Sequence, residues 1–389
     1  MKQTNNAIKF LMAQYRAVFK SAYVSGITTA VALTSFLAAA QANAANALNA
    51  AGWEDALKAS DTLVINGETS TDPAKGEYTS LAVNPTGASG ADLSLNGKQK
   101  LSIVGDKVAT VTFTADAQDE KVYLKGEGAL EVDAKSGLTL AANGSGSETT
   151  VDLSSVNIKK GTVTLTTGHA NGSVNLAANS IVIGNGESGD GATVTLSGTG
   201  TNVLGGTSSS IVVKGNGKVE TKGTKDNTIQ GSSLVAEKGS TFTFGDKTNY
   251  KVQSSTFTSS NITVKANGEL NVDLAEIGTG KPGQMTITGA EKETSKVNVG
   301  GALNINTGVV TIDKHVELKS SATGNVTTDY IAVGDNQAAS KDPSKAIFKI
   351  SKDTLKGYLT GTNKGSVLIQ SGGTLYITDE VNLKDLTFG

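Results

Sequence analysis

Pairs of short apolar alternations joined by a glycine-containing turn recur along this chain, and that phrase limits its folds more than any other feature. The clearest copies are Ile262-Thr-Val264 followed by Gly268-Glu-Leu270-Asn-Val272, and Val367-Leu-Ile369 followed by Gly373-Thr-Leu375-Tyr-Ile377. Period-two segments begin at Leu63-Val-Ile65 and continue through Leu101-Ser-Ile103, Val111-Thr-Phe113, Val122-Tyr-Leu124, Leu130-Glu-Val132 and Leu138-Thr-Leu140. They go on through Val163 to Leu165, Val174 to Leu176, Ile181 to Ile183, Val194 to Leu196, Ile211 to Val213, Phe242 to Phe244, Met285 to Ile287, Val297 to Val299 and Leu303 to Ile305. Alternation at period two marks strands with one buried face. Strands of three to five residues bury too little alone and need neighbours above and below, which is the logic of a solenoid.

The turns fit that logic. Lys214-Gly-Asn-Gly-Lys218, Lys265-Ala-Asn-Gly-Glu269 and Gln370-Ser-Gly-Gly-Thr374 each lie between two alternations, as if at one place in the repeat. Asn-Gly and Gly-Gly reverse the chain through positive φ without strain. Circuits of about 20 to 25 residues predict on the order of 14 layers, or roughly 65 Å at about 4.8 Å per layer. The expected fold is all-β, a right-handed parallel β-solenoid (β-helix). The alternative is a row of β-sandwich domains, since sandwich strands also recur every 8 to 12 residues. Shortness of the strands and the lack of a Trp or Tyr anchor favour the solenoid.

Four regions follow. Residues 1–44 read as a secretory signal peptide: Lys2, Lys9, Arg16 and Lys20 are basic, Ile27 to Ala40 is apolar, and Ala42-Asn43-Ala44 is a small-x-small cleavage site. The apolar stretch, at roughly 14 residues, is shorter than the about 20 needed to span a bilayer, so no transmembrane segment is expected after cleavage. Residues 45–60 predict a short capping helix on which Ala50, Trp53 and Leu57 share a face, covering an open sheet edge. Residues 61–335 form the solenoid body, and 336–389 hold a Lys-rich segment and the final strands.

Composition narrows the chemistry. Cleavage after Ala44 removes four of the 34 basic residues and no acidic one, leaving 30 against 36, a net charge of −6. Nucleic acid is therefore not an expected partner. Arg16 is the only arginine, so the mature part lacks the planar fork used to clamp carboxylates and phosphates. Absence of cysteine means that an exported chain of this length is held by backbone ladders and apolar stacking.

Few motifs carry chemistry. Gly184-Asn-Gly186-Glu-Ser-Gly189 has the dinucleotide spacing, but a strand follows it, Ala192 to Leu196, where a helix N-terminus would have to receive a pyrophosphate. Glu187 and Asp190 beside it suggest calcium, yet two carboxylates are too few for a site and no cofactor is expected. His169 lies in a turn, and alternation over Asp313 to Glu317 would put Asp313, His315 and Glu317 on one face. Gly-x-Ser-x-Gly does not occur, and for a polysaccharide-acting enzyme Asp116, Asp119 and Glu120 are candidates by proximity alone. The expectation is a non-enzyme. Lys341, Lys345, Lys349, Lys352 and Lys356 would line one side of a helix over Pro343 to Leu359, offering an anionic-glycan contact; a solvated face, with Phe348 and Ile350 in a strand, is the plainer reading.

The repeated phrase, the long signal peptide and the Lys-only, Cys-free, Thr/Ser/Gly/Asn-rich body resemble passenger regions of Gram-negative autotransporter adhesins, from Thr62 to Phe388. That resemblance implies a cell-surface or outer-membrane-attached adhesive protein, with a host or neighbouring cell as partner. It also implies a carboxy-terminal β-barrel, whereas the sequence reaches Gly389 without barrel strands of about ten residues. Either the chain is a fragment or another protein exports it. A self-associating surface-layer or filament subunit is the competing expectation.

Overall fold

The computed structural model describes residues 47–68, 71–85, 90–107, 111–135, 137–187, 190–223, 226–277, 280–321, 330–334 and 346–378. Every pairing between its strands is parallel, and the only antiparallel contact among the described residues is an isolated bridge between Ala290 and Glu293. Sandwiches are built from antiparallel strands, so the tandem-sandwich alternative is excluded. The chain is an all-β coil whose circuits each contribute one strand to three stacked parallel sheets.

Inward side chains trace the three ladders. In the first sheet Leu48, Leu81, Val111, Leu138, Val163, Val194, Val219, Phe242, Ile262, Val297 and Leu318 lie directly over one another. The second runs Leu93, Leu124, Val151, Leu176, Leu204, Ile229, Tyr250, Val272, Ile305, Val333, Ile369. The third has twelve layers: Leu63, Leu101, Leu130, Val156, Ile181, Ile211, Leu234, Ser255, Met285, Val310, Phe348 and Leu375. Nearly all are buried in one continuous core. Burial of each aliphatic member is worth about 1.5–3 kcal/mol, and the parallel ladders hold them in register.

The twelve layers among the described residues span about 53 Å, fewer and shorter than the sequence suggests. The reason is loop length. Phe242 and Ile262 are one circuit apart, and so are Ile262 and Val297, which lie much further apart in sequence. The three Gly-containing turns do not share one corner either. Lys214–Gly217 joins the third sheet to the first, Lys265–Gly268 the first to the second, and Gln370–Gly372 the second to the third. Each closes the same way, by Gly217 N to Lys214 O (2.9 Å), Gly268 N to Lys265 O (2.8 Å) and Gly373 N to Gln370 O (3.0 Å). The residue that turns the backbone is Asn216, Asn267 or Gly372, at φ of 60°, 65° and 72°.

A helix stands in for a strand in the first and last circuits. The first, Trp53–Ala59, is shorter than expected because Ala47–Asn49 opens the first sheet and Asn49 then caps a 3₁₀ turn. It occupies the second sheet's place below Ala91–Ser94, and the indole N–H of the fully buried Trp53 donates to Ser94 O at 3.0 Å. The last, Lys352–Thr360, is capped by Ser351 and packs on Val316–Ser320, the final strand of the first sheet, burying Leu355 and Tyr358. Residues 1–44, the reading of which depends on their own pattern, lie outside the described residues.

Candidate interaction surface

Outward side chains form ladders of their own. On the first sheet Thr112, Thr139, Thr164, Thr195, Glu220, Thr243 and Thr263 are in register, with an ion pair between Lys222 and Glu220 at 2.7 Å. The second sheet stacks amides: Asn304 Nδ2 donates to Asn271 Oδ1 at 2.9 Å, and Asn271 Nδ2 to Glu269 at 2.9 Å. Charge is frequent there, as in Tyr123 Oη donating to Glu148 at 3.0 Å and Lys247 pairing with Asp226 at 3.0 Å. At the corner between the second and third sheets an open groove of about 570 Å³ is lined by Lys125, Glu127, Asp152, Ser154 and Asn179.

The third sheet differs. Its central outward ladder reads Glu131, Asn157, Val182, Val212, Val235, Thr256, Thr286, Thr311, Lys349. Beside it runs Ser155, Ser180, Ser210, Ser233, Ser254, Gln284, Val309. From Ser155 to Thr311 neither ladder holds a charge. Ser233 Oγ donates to Ser210 Oγ at 3.0 Å, so part of this polarity is satisfied within the face. Val235, 42% exposed, is a large apolar side chain left in solvent among the described residues; Leu368, Ile369 and Tyr376, which share that condition, sit in the last circuit.

Below that face Glu131 receives both Lys100 and Lys159. Burial pushes its carboxyl up, and the two ammonium groups more than offset this, so it titrates below the ordinary carboxylate range. A depressed pKa stabilises the fold above the unfolded-state value and is lost as pH falls through the folded one. Thermal melts of the parent and of Glu131→Gln should therefore differ most near neutrality and converge in acid; a gap that persists at low pH would refute the linkage.

The sequence candidates distribute as follows. Lys349 lies on strand Ala346–Ile350 with its Nζ 5.9 Å from the Tyr376 ring centre, while Lys352 and Lys356 belong to the last helix; Lys341 and Lys345 lie outside the described residues. The single lysine-lined helix does not form, because Phe348 and Ile350 take inward places over Val310 and Ile312. Asp313, His315 and Glu317 do not alternate on one strand: His315 is in a turn at φ 55° between strands ending at Ile312 and starting at Val316. His169 is a half-buried turn residue whose Nδ1 accepts from Asn171 N at 3.1 Å.

Asp116 accepts from Asn84 (3.0 Å) and Asn143 (2.7 Å), the stacked neighbours below and above. Glu120 is turned inside, where Oε2 accepts from Asp116 N and Ala117 N at 2.6 and 2.9 Å. Asn185 of the glycine-spaced loop accepts from Glu187 N (2.9 Å) and from Asn216 Nδ2 of the next circuit (3.0 Å), so residues 184–187 stack on the turn above. Asp190 pairs with Lys160 at 3.2 Å. Among the described residues no three His, Cys, Asp or Glu side chains gather around a point where a metal ion could sit, and no helix is long and apolar enough to cross a membrane.

Comparison with family models, with curated proteins and with solved structures finds no match to this chain. The uncharged third face is the feature that sequence reasoning missed. Its signal was present as Ser180-Ile-Val182, Ser210-Ile-Val212, Ser233-Leu-Val235 and Ser254-Ser-Thr256, one copy per circuit.

Proposed function

We propose that the chain is an exported bacterial surface protein whose coil serves as a stiff scaffold holding adhesive faces away from the cell. The observation that carries this reading is the in-register display of Thr, Asn, Ser and Val side chains on flat parallel sheets over about 53 Å. A surface of that kind suits repeated shallow contacts better than enclosure of a small molecule. The basic, apolar and Ala42-Asn43-Ala44 segments support export. The resemblance to autotransporter passengers supports attachment at a Gram-negative surface, with a host or neighbouring cell as the partner.

Expression in a Gram-negative host should yield a chain outside the cytoplasm beginning at Ala45. A cytoplasmic chain that keeps residues 1–44 would contradict export. Beads coated with the chain should stick to cells, and coated beads that bind no better than bare ones would remove the adhesive part of the reading. Self-association is the second reading, favoured by the uncharged third face.

A further inference from the structure

We infer that the outer face of the third sheet is a self-complementary interface, on which a second copy of this chain packs face to face with its axis antiparallel. The inference goes beyond the surface-scaffold reading and does not depend on it.

It rests on where charge and apolar surface fall along the ladder. Val235 is at the centre of the uncharged block. Four circuits below it, through Val212, Val182 and Asn157, stands Glu131; four circuits above, through Thr256, Thr286 and Thr311, stands Lys349. A two-fold axis running along the strand direction through Val235 superposes each circuit below on the matching circuit above. Val235 then meets Val235 of the second copy, Val212 meets Thr256, Val182 meets Thr286 and Asn157 meets Thr311. The Glu131 group, with Lys100 and Lys159 of its own copy on the carboxylate, then faces Lys349 and Asp313, twice.

The same operation treats the neighbouring columns well. Ser210 faces Ser254 and Ser180 faces Gln284, so short hydroxyls and an amide meet. At the corner column, which follows Ile158, Ala236 and Ile312 in the ladder, Lys159 faces Asp313. Of the charged residues in these columns Glu237 faces its own copy, at the solvated edge and next to Lys214 of the adjacent circuit. This is the i-to-j, j-to-i pattern of an isologous contact. A two-fold axis along the coil would instead bring each circuit onto itself, with Glu131 against Glu131 and Lys349 against Lys349.

Size sets the strength. Nine circuits by a four-residue strand give a flat area of about 38 by 13 Å per copy, roughly 1,000 Å² over both, at the lower bound for a specific interface. Fixed β-branched side chains lose little rotamer freedom on contact. The expected complex is a reversible dimer.

Sedimentation of the purified full chain between about 1 and 100 µM should show a monomer–dimer equilibrium, the range suited to an interface of this size. Val235→Lys places two ammonium groups on the axis and should weaken the dimer at least about tenfold. At concentrations where both proteins are monomeric its melting temperature should be unchanged, because Val235 faces outward. The Cys-free sequence allows a second arm. A short bis-maleimide should link Val235→Cys to itself, but should link Ser180→Cys only when mixed with Gln284→Cys. Thr195→Cys, on the first sheet, should not be linked. A chain that stays monomeric, a Val235→Lys dimer as tight as the parent's, or Ser180→Cys linking to itself as well as Val235→Cys does would each overturn the inference.

Discussion

Phe242→Ala is expected to cost about 3–5 kcal/mol, among the most damaging truncations in the coil. Phe242 belongs to the first-sheet ladder, is fully buried, and meets Phe257 edge to face at 5.0 Å and Phe244 at 6.4 Å. Tyr250, whose phenol burial pushes well above its usual pKa, lies 6.3 Å from Phe257 in the same circuit. The four rings fill a layer where Thr248 and Ser255 take inward places that the layers above give to Leu270 and Met285. Removing one ring therefore leaves a void that no neighbour can reach across, and adjacent ladders keep it open. Chemical denaturation followed by circular dichroism would measure the loss. A change below about 1 kcal/mol would mean that the layers repack freely, contrary to the rigid register described above.

Gly126→Ala should have a comparable effect through the backbone. Gly126 follows the strand Lys121–Lys125 at φ 123°, outside the region that other residues occupy, and a Cβ there would lie 2.2 Å from the carbonyl oxygen of Leu95 in the circuit below. Its own N–H donates to Asp152 O in the circuit above at 3.0 Å, so the turn cannot shift without breaking the ladder. Strained conformations of this kind cost about 1–3 kcal/mol before the clash is added. Gly186→Ala serves as the comparison, since that glycine also has positive φ but a Cβ added to it would meet nothing within 4 Å. Equal destabilisation by the two changes would show that φ alone, and not stacking on Leu95, decides the outcome.

Strand positions were legible in many segments whose inward residues are both apolar, as in Val163 to Leu165 or Ile181 to Ile183, although Leu81 to Val83 and Val151 to Leu153 were passed over. They were illegible where the ladder turns polar. Thr201–Leu204, Lys218–Thr221 and Asn227–Ala236 point Asn202, Thr221 and Asn227 inward, all buried, and so lose their alternation. These side chains pair across circuits: Asn202 Nδ2 donates to Asn227 Oδ1 at 3.2 Å and Thr248 Oγ1 to Thr221 Oγ1 at 2.9 Å. A pairwise solution of this kind appears only once the register is known. The lysine spacing of four and three failed for a related reason, since the inward places offered to Phe348 and Ile350 outweigh helical periodicity. The third face was written in the sequence circuit by circuit, but circuits of unequal length hid the column it forms.

The helices at the two ends of the coil also bear on how the molecule carries load. Ladder hydrogen bonds in a parallel stack point along its axis, so tension applied between the ends would pull on them directly rather than shear them. Each layer contacts only its neighbours. Yielding would then start at a terminus and proceed one circuit at a time, every step releasing the slack of a whole turn of chain, about 70 Å for the circuit from Phe242 to Ile262. Trp53 with its bond to Ser94, and the helix seated on Val316–Ser320, sit where that peeling begins. A tether built this way would lengthen in steps under strain while its remaining circuits stayed intact.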